Sequence, residues 1–368
     1  MMLSTNIDEK WMHLALSLSK RTRGSTWPNP NVGCVIVKDN ILIGRGWTAA
    51  KGRPHAEIQA LKSTTSNPEN STVYVTLEPC SHIGQTQPCI TSLINAKVAR
   101  VVIATRDLDP RVAGKGIRFL KDAGISVTEG ILEEDARYEH LGFFNRILNN
   151  QPKITIKFAT SLDSKISTQS NESKWITSEK SRKLTHFYRM QNDAIMVGSG
   201  TVIMDDPMLN VRHIKSTQQP VRIIIDTELR TPLKSKIFQS AKEFNTIICC
   251  ATHTDKTIIN TWIDQGARVL KCDLTSVGEI NLNSALNQIS DIGINNVFCE
   301  GGAKLATNLI KQNLVHEFIS MTSGLLIGST GNSFIKELEN LPLSKLPSFK
   351  LKESFKYGDD SVSIWHKP

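Results

Sequence analysis

Two stretches, His55-Ala56-Glu57 and Val73-Tyr74-Val75-Thr76-Leu77-Glu78-Pro79-Cys80, decide the fold of the first half of this chain. The residues from His55 to Lys62 have the apolar spacing of a helix, and the β-branched run from Val73 to Leu77 is typical of a strand. Pro79-Cys80 therefore lies just beyond a strand end, and Cys89 follows nine positions later. The pattern predicts one imidazole and two thiols at the ends of regular elements.

This combination predicts a zinc site that is open to catalysis. One imidazole and two thiolates, from His55, Cys80 and Cys89, give zinc three ligands and leave its fourth tetrahedral position to water. Zinc lowers the pKa of bound water to roughly 7, so hydroxide is available at neutral pH to attack a ring carbon that carries an exocyclic amine. Glu57 can take the proton of the water and deliver it to the ring nitrogen and the leaving ammonia. The pattern is typical of nucleobase deaminases, although eight residues separate the two cysteines here.

A structural interpretation of the same residues is the alternative. On that interpretation His55 is a surface histidine, and Cys80 and Cys89 are buried or incidental thiols. The His-x-Glu at a helix start together with Pro-Cys after a strand favours zinc. The other cysteines lack ligand spacing and are predicted to be packing residues: Cys34, Cys249, Cys250, Cys272 and Cys299.

Strands and helices alternate along the chain, which is typical of layered α/β domains. Asn6 to Ser19 is predicted to be a helix capped by Asn6 with Glu9. Val32 to Gly44 reads as a hairpin, and Glu133 to Leu148 reads as a helix. The polar, proline-ended stretch 149–152 is the predicted joint between a first domain, 1–148, and a second domain, 152–368. The alternation restarts after this joint, so the halves are predicted to be different α/β domains.

Composition excludes some classes of protein and leaves others open. The 368 residues include seven cysteines, an odd and scattered set that favours reduced thiols over a disulfide framework. We find no apolar run of about 18 residues and no cleavable leader, which predicts a cytoplasmic protein without membrane contact. The formal charge of +9 suits nucleic acid or small phosphorylated substrates equally. The dispersed lysines and the lack of an aromatic stripe favour the small substrates, and a two-domain enzyme of this kind is expected to be a homo-oligomer.

The motifs together resemble those of a known family, the bifunctional deaminase/reductases of riboflavin biosynthesis. The resemblance rests on Pro28-Asn29-Pro30-Asn31-Val32-Gly33, His55-Ala56-Glu57, Glu78-Pro79-Cys80-Ser81-His82-x-Gly84-x-Thr86-x-Pro88-Cys89 and Val112-Ala113-Gly114-x-Gly116. The long insert between the cysteines separates this family from the cytidine, deoxycytidylate and tRNA adenosine deaminases. The resemblance implies a cytidine-deaminase-like three-layer α/β/α domain followed by an α/β domain similar to dihydrofolate reductase.

For the first domain, the resemblance implies a substrate and its contacts. The substrate is 2,5-diamino-6-(5-phosphoribosylamino)pyrimidin-4-one, which loses its 2-amino group as ammonia. The family's contacts fall on Asn29, His82, Asp107 and Asp109. From the residues alone, Asn29 could instead only form a Pro-Asn-Pro turn.

The residues alone predict less about the ligands of the second domain, because no Gly-x-Gly-x-x-Gly motif follows a strand there. Two glycine turns after strands, Val197 to Thr201 and Cys299 to Ala303, could hold phosphates with backbone N–H groups. The resemblance implies NADPH as the cofactor and hydride delivery to C1′ of the ring-opened ribose. It places the cofactor contacts on Ala159, Trp175, Thr177, Thr201, Asp205, Thr227, Gly302, Ala303, Lys304, Leu305, Ala306, Thr307 and Asn308. It places the substrate contacts on Ser173, Arg189, Leu209, Arg212 and Glu300, of which the arginines suit phosphate because guanidinium offers paired donors.

The chain departs from the family pattern at three positions, and three other hypotheses about its function are open. Gln85 stands where the family has a basic residue, Asp109 where it often has asparagine, and Ser164 where it has glycine after Ser161-Leu162-Asp163. Serine is tolerated there only if φ is negative or if its side chain fits beside the cofactor. The other hypotheses are a nucleotide or tRNA deaminase with an unrelated second domain, a basic nucleic-acid-binding protein with a four-ligand structural zinc, and an enzyme with one degenerate half.

Overall fold

The computed structural model describes residues 2–82, 87–110, 113–216, 218–338 and 342–368. The chain divides into two compact units, Met1–Gln151 and Pro152–Pro368. The division falls within the stretch 149–152, and the domain bounds 1–148 and 152–368 stay predictions. Within the ranges described, no helix has both the length and the apolar character needed to cross a bilayer.

The first unit alternates helices with strands. Its helices are α1 (Met2–Ser19), α2 (Ala56–Lys62), α3 (Cys89–Asn95), α4 (Lys115–Asp122), α5 (Glu133–Glu139) and α6 (Leu141–Asn149). Its strands are β1 (Gly33–Lys38), β2 (Ile41–Trp47), β3 (Thr72–Leu77), β4 (Arg100–Thr105) and β5 (Ser126–Glu129). They form one sheet in the order β2-β1-β3-β4-β5. The hairpin β1-β2 and the pair β1-β3 are antiparallel, whereas β3, β4 and β5 are parallel.

Helices cover both faces of this sheet, as the alternation of buried residues requires. On β1, β3 and β4, alternate positions such as Ile36, Val75 and Ile103 pack in a core with α2, α3, α4 and α6. The intervening positions, such as Val35 and Val102, pack in a second core with α1 and α5. Successive strand residues point to opposite faces, so strands buried on both faces need helices on both sides. The predicted three-layer α/β/α arrangement is confirmed.

Two details of the predicted helices are wrong. The first helix already begins at Met2, so Asn6 lies inside it and caps nothing. The segment predicted as one helix from Glu133 to Leu148 is two helices, because His140 adopts φ −94° and ψ 6° between them. His140 is fully buried, and its Nε2 lies 3.2 Å from Thr76 Oγ1 of β3. The helix breaks where a tertiary contact holds this side chain against the sheet.

The second unit is built on a larger sheet. Its helices are α7 (Glu179–Met190), α8 (Ser199–Asp205), α9 (Lys236–Gln239), α10 (Lys256–Asp264), α11 (Leu282–Asp291) and α12 (Ala303–Lys311). Its strands are β6 (Lys153–Thr160), β7 (Lys165–Ser167), β8 (Ala194–Gly198), β9 (Val221–Ile225), β10 (Thr246–Ala251), β11 (Arg268–Cys272), β12 (Asn296–Cys299), β13 (Glu317–Thr322), β14 (Asn332–Ser333), β15 (Lys350–Tyr357) and β16 (Asp360–His366).

Nine of these strands form one sheet in the order β11-β10-β9-β8-β12-β6-β13-β16-β15. All neighbours from β11 to β13 are parallel, whereas β16 pairs antiparallel with both β13 and β15. Strands β7 and β14 form a separate antiparallel pair. In open parallel sheets, ligands bind beyond the carboxyl ends of the strands. A ligand site is therefore expected in the segments that follow β6, β8, β9 and β12.

Candidate functional site

The predicted zinc ligands lie together in the first unit. His55 precedes the first residue of α2, Cys80 follows β3, and Cys89 is the first residue of α3. Nδ1 of His55 lies 3.3 Å from Sγ of Cys89 and 3.6 Å from Sγ of Cys80. All three ligand atoms fall within 4.8 Å of one another.

These separations fit a tetrahedral zinc ion. Bond lengths of about 2.3 Å to sulfur and 2.05 Å to nitrogen place neighbouring nitrogen and sulfur ligands about 3.6 Å apart at the tetrahedral angle. The backbone N–H of Cys89 also donates to Sγ of Cys80 over 3.3 Å. A hydrogen bond from the Cys89 side chain lowers the pKa of Cys80 to about 4, although burial opposes it. Cys80 is therefore a thiolate at neutral pH, which is the form that binds metals.

Glu57 lies beside this cluster in the first turn of α2, and only 4% of it is exposed. Burial raises the pKa of Glu57 to about 7, and the neighbouring His55 partly offsets that effect. General acid–base catalysis works best when the pKa of the group is near the working pH. Glu57 can accordingly both accept and return a proton at neutral pH.

The four predicted substrate contacts of the first unit lie on loops near these ligands. The amide of Asn29 donates to the carbonyl of Gly52, three residues before His55, over 2.9 Å. His82 lies two residues after Cys80, and its buried Nδ1 has no hydrogen-bond partner among the described residues. Asp107 and Asp109 are both buried just after β4, which pairs with β3. The backbone N–H of Asp109 donates to Oδ1 of Asp107 over 2.8 Å.

In the second unit, a cavity of about 840 Å³ opens beyond the ends of β6, β8 and β12. The lining includes most of the residues that sequence analysis assigned to ligands there. They are Ala159, Ser173, Trp175, Thr177, Arg189, Thr201, Asp205, Arg212, Glu300 and Gly302. Separate stretches of sequence therefore meet at one site.

Arg189 and Glu300 form an ion pair at the bottom of this cavity. Nε and Nη2 of Arg189 donate to the two carboxylate oxygens of Glu300 over 2.5 and 2.9 Å. Nη1 of Arg189 donates to the carbonyl of Asn210 over 2.9 Å. Three of the five N–H donors of the guanidinium are thus engaged within the protein. Arg212 is exposed on the cavity wall, where its Nη1 donates to Oδ1 of Asn210 over 3.1 Å.

A second cavity of about 450 Å³ adjoins the first, and both are lined by Ser173, Thr201, Asp205 and Gly302. The turns after β8 and β12, which were predicted to hold phosphates, form part of its wall. Its other predicted contacts are Thr227, Ala303, Lys304, Leu305 and Asn308. Arg230 and Lys336 also line it, as does Glu279, whose Oε1 lies 2.6 Å from Nζ of Lys304. A long ligand with anionic groups could extend through both cavities.

Two family models match the chain. One is described as the cytidine and deoxycytidylate deaminase zinc-binding region and matches residues 5–105, and the other as the RibD C-terminal domain, which matches residues 152–363. The chain is 40% identical over 337 residues to the riboflavin biosynthesis protein RibD of Aquifex aeolicus, covering 90% of this chain and 92% of that protein. It is 37% identical to RibD of Escherichia coli, with 96% and 97% covered.

The chain belongs to the RibD family. It is a bifunctional enzyme with a zinc-binding deaminase domain and a reductase domain, and it serves riboflavin biosynthesis. Its fold matches that of Acinetobacter baumannii RibD, at 35% identity over 99% of each chain and a TM-score of 0.88. It also matches a deaminase/reductase from Thermotoga maritima, at 28% identity over 99% and 100% of the two chains and a TM-score of 0.86. The predicted family, fold class and pair of activities are confirmed.

Part of the RibD motif lies outside the described residues. This applies to Gly84, Gln85 and Thr86 between the two cysteines, and to Val112 in the glycine motif.

Three predicted contacts do not line either cavity. The side chain of Leu209 is 2% exposed and packs in the core beneath α8, α9 and α10. Ala306 and Thr307 lie on the buried face of α12. The hydroxyl of Thr307 donates to the carbonyl of Ala303 and accepts the N–H of Lys336. On a helix, every third or fourth side chain turns toward the core, and the roles of these three residues as ligand contacts stay predictions.

Ser164 adopts φ +63°, so the glycine of the family pattern is replaced where a left-handed conformation is needed. The condition of a negative φ is not met, and the fit of the exposed side chain beside the cofactor stays a prediction. Its N–H donates to the carbonyl of Ser161 over 3.0 Å, which closes a tight turn. The neighbouring Asp163 accepts the N–H groups of Ile327 and Gly328, so the turn also holds the loop after β13.

The larger cavity of this RibD-family chain is also lined by ionisable residues that the sequence did not point to, among them Lys157 and His186. Lys157 lies on β6, where burial lowers the pKa of its ammonium group and the charge of Glu300 partly restores it. His186 lies on α7, and its Nδ1 accepts the N–H of Arg212 over 3.3 Å. Burial lowers the pKa of His186 to about 4, so it is neutral at pH 7. A lysine inside the mostly apolar run Ile154 to Ala159 was the available signal for Lys157.

Proposed function

We propose that the first unit removes the 2-amino group of 2,5-diamino-6-(5-phosphoribosylamino)pyrimidin-4-one as ammonia. We propose that the second unit then reduces the ribosyl group of 5-amino-6-(5-phosphoribosylamino)uracil to ribityl with NADPH. The observation that carries the first step is the cluster of His55, Cys80 and Cys89 beside the buried Glu57. The Thermotoga maritima relative is a diaminohydroxyphosphoribosylaminopyrimidine deaminase and 5-amino-6-(5-phosphoribosylamino)uracil reductase, which fits this pair of reactions.

For the deamination, His55, Cys80 and Cys89 would hold zinc, which supplies a water activated for attack at neutral pH. Glu57 takes one proton from the attacking water and delivers it to the ring nitrogen, and it then passes the second proton of that water to the amino group, which leaves as ammonia. A pKa of about 7 lets this carboxylate act in both directions. Nδ1 of His82, which has no hydrogen-bond partner in the described part of the chain, is available to orient the substrate, since a buried polar group without a partner is costly.

For the reduction, the nicotinamide supplies the hydride, and the chain binds and orients the two ligands. Arg212 offers donors on the cavity wall for the substrate phosphate, while Arg189 retains two N–H donors beyond those given to Glu300 and Asn210. The preference for NADPH over NADH is supported by three cationic side chains around the smaller cavity, Arg230, Lys304 and Lys336. They outnumber the carboxylates there, Asp205 and Glu279, and an added phosphate favours such a lining.

One assay tests both steps. Zinc-loaded protein receives the phosphoribosylated diaminopyrimidine, and ammonia release and NADPH oxidation are followed in the same cuvette. We expect ammonia first and NADPH loss afterwards, and we expect a Glu57→Gln variant to do neither. A Glu57→Gln variant given the deaminated compound directly should oxidise NADPH at the wild-type rate, which separates the two sites.

Other outcomes would revise the proposal. Ammonia without NADPH loss would show a failed reductase unit, and no ammonia from wild type would refute the deaminase assignment. Equal rates with NADH would refute the cofactor preference.

We also infer a homo-oligomer, which light scattering would test. The cytoplasmic location expected from the sequence stays a prediction.

A further inference from the structure

Glu78 is a buried carboxylate for which the chemistry above has no use. It is 3% exposed and lies between β3 and Cys80. Its backbone N–H donates to the carbonyl of Thr105 over 3.0 Å, which continues the pairing of β3 with β4. Its side chain therefore starts from a fixed position beside the segment that follows β4.

The carboxylate of Glu78 accepts three backbone N–H groups from that segment. Oε2 accepts from Asp107 over 3.3 Å and from Gly114 over 2.9 Å, and Oε1 accepts from Ile117 over 3.3 Å. Gly114 is the N-cap residue of α4, and no side chain of the helix itself caps this end. The first N–H groups of a helix need partners from elsewhere, and negative charge is favourable at that end. Glu78 supplies both from a position 36 residues earlier in the sequence.

The glycines of this segment fit the same arrangement. Gly114 has φ +78°, a left-handed conformation that glycine adopts without strain. A Cβ on Gly116 would lie 2.4 Å from the carbonyl oxygen of Pro79 and 3.1 Å from Oε1 of Glu78. The start of α4 therefore rests directly on the turn that carries Cys80. This contact gives a physical reason for the glycine pair singled out in the sequence.

We propose that Glu78 is a positioning residue of the deaminase, which fixes the segment bearing Asp107 and Asp109 against the turn bearing Cys80. The inference rests on the proposed function, because Asp107 and Asp109 matter there as substrate contacts. Glu78 itself touches neither the substrate nor the metal in this account. Glu78 affects the reaction by fixing the position in which the substrate is held.

The test is a Glu78→Gln variant of the full chain loaded with zinc. The amide keeps one acceptor oxygen but turns an NH2 group toward a backbone N–H, so the segment loses part of its attachment. We expect KM for the aminopyrimidine to rise about tenfold and kcat to change less than about threefold, as loss of a charge-assisted hydrogen bond implies. Zinc content should stay at one ion per chain. Amide hydrogen exchange at residues 114–117 should accelerate.

The matched control is Asp8→Asn, another buried carboxylate of the same unit. Oδ2 of Asp8 accepts from Arg100 over 2.7 Å, and Oδ1 accepts from the hydroxyl of Tyr74 over 2.8 Å. This variant should lose stability without any change in KM or in exchange at 114–117. Gly116→Ala approaches the same contact from the other side and should raise KM in the same way, even if Glu78→Gln folds poorly.

Three results would separate the possibilities. An unchanged KM in both Glu78→Gln and Gly116→Ala, with wild type active, would overturn the positioning role. Loss of zinc from Glu78→Gln would overturn it as well, because the residue would then act on the metal turn itself. If wild type released no ammonia, the proposed function would fail, while the exchange rates would still show whether Glu78 holds the segment.

Discussion

Replacing Arg189 with methionine should destabilise the second unit far more than any other change at a proposed phosphate contact. The ion pair of Arg189 with Glu300 is bidentate, and the two side chains are only 10% and 11% exposed. Methionine keeps much of the apolar volume and removes the charge and all three donor contacts. The carboxylate of Glu300 is then left buried, with Lys157 as the neighbouring cation.

The size of the destabilisation follows from the burial of the ion pair. Removing one partner of a buried ion pair costs about 3–5 kcal/mol, because the other charge stays behind without compensation. Lys157 offsets part of that cost here, so we expect about 3 kcal/mol. In a unit of roughly 200 residues, each kcal/mol lowers Tm by about 2–4 °C. The melting transition of the second unit should therefore fall by about 6–12 °C at pH 7.

Two further variants isolate the pair. Arg212→Met removes an exposed guanidinium from the same cavity, so its Tm should stay close to wild type while KM of the reduction rises about tenfold or more. The double variant Arg189→Met/Glu300→Gln leaves no buried charge uncompensated and should be more stable than Arg189→Met alone. Thermal melts followed by circular dichroism measure all three. The transition that NADPH shifts upward marks the second unit, because a ligand stabilises the state it binds.

The pH dependence gives an independent check. Burial would raise the pKa of Glu300, but the charge and hydrogen bonds of Arg189, together with the charges of Lys157 and His186, more than offset that, so the pKa lies below its usual value. In wild type the pair therefore stabilises the fold above the unfolded pKa near 4.3, and this contribution is lost at more acidic pH. In Arg189→Met the pKa should rise, so protonation relieves the cost and the deficit shrinks from pH 7 to pH 5. A Tm within about 2 °C of wild type at pH 7, or a deficit that does not change with pH, would refute the reasoning.

Three other changes should give distinct results. Cys80→Ser should abolish stoichiometric zinc by elemental analysis, while Cys34→Ala should keep it; zinc retained by Cys80→Ser would remove that residue from the ligand set. Ser164→Gly should raise the free energy of unfolding by up to about 1 kcal/mol in a denaturant titration, because left-handed backbone costs a non-glycine residue about 1–2 kcal/mol; a loss of stability would contradict this. Burial lowers the pKa of His316 to about 4, so the unfolded state binds the extra proton from about pH 6.5 downward and stability should fall between pH 6.5 and 4. A His316→Gln variant should show a flatter dependence over that range, and an equally steep one would rule out this histidine as a cause.

The fold could be predicted where local signals and tertiary needs agree. The hairpin of β1 and β2 and the strand from Thr72 to Leu77 follow from β-branched runs bounded by polar residues. The predictions failed where distant contacts decide the local structure. At the helix break, His140 contacts Thr76 in β3, and no local pattern shows that pairing.

The two candidate sites differ in how much the sequence could reveal. The combination of histidine and cysteine at metal-ligand spacing is almost sufficient by itself to predict zinc, because few other kinds of site need these residue types together. Cavity residues such as Lys157 and His186 carry no such signature, since their place is fixed by strands and helices that meet only in the folded unit. The side chain of Leu209 faces the core for the same reason.

In both units, the register of parallel strands decides which side chains meet. Leu77 pairs with Thr105, so the residues that follow the two strands, Glu78 and Asp107, leave the sheet side by side. In the second unit, β12 pairs with both β6 and β8, which brings Glu300 to the ends of two strands at once. A slip of one residue would turn every side chain of a strand to the opposite face, and would carry these carboxylates out of reach of their partners. The cores that fix the register therefore also fix the sites, so a core substitution that loosens β3 against β4 should impair the deaminase through Glu78 before it unfolds the unit.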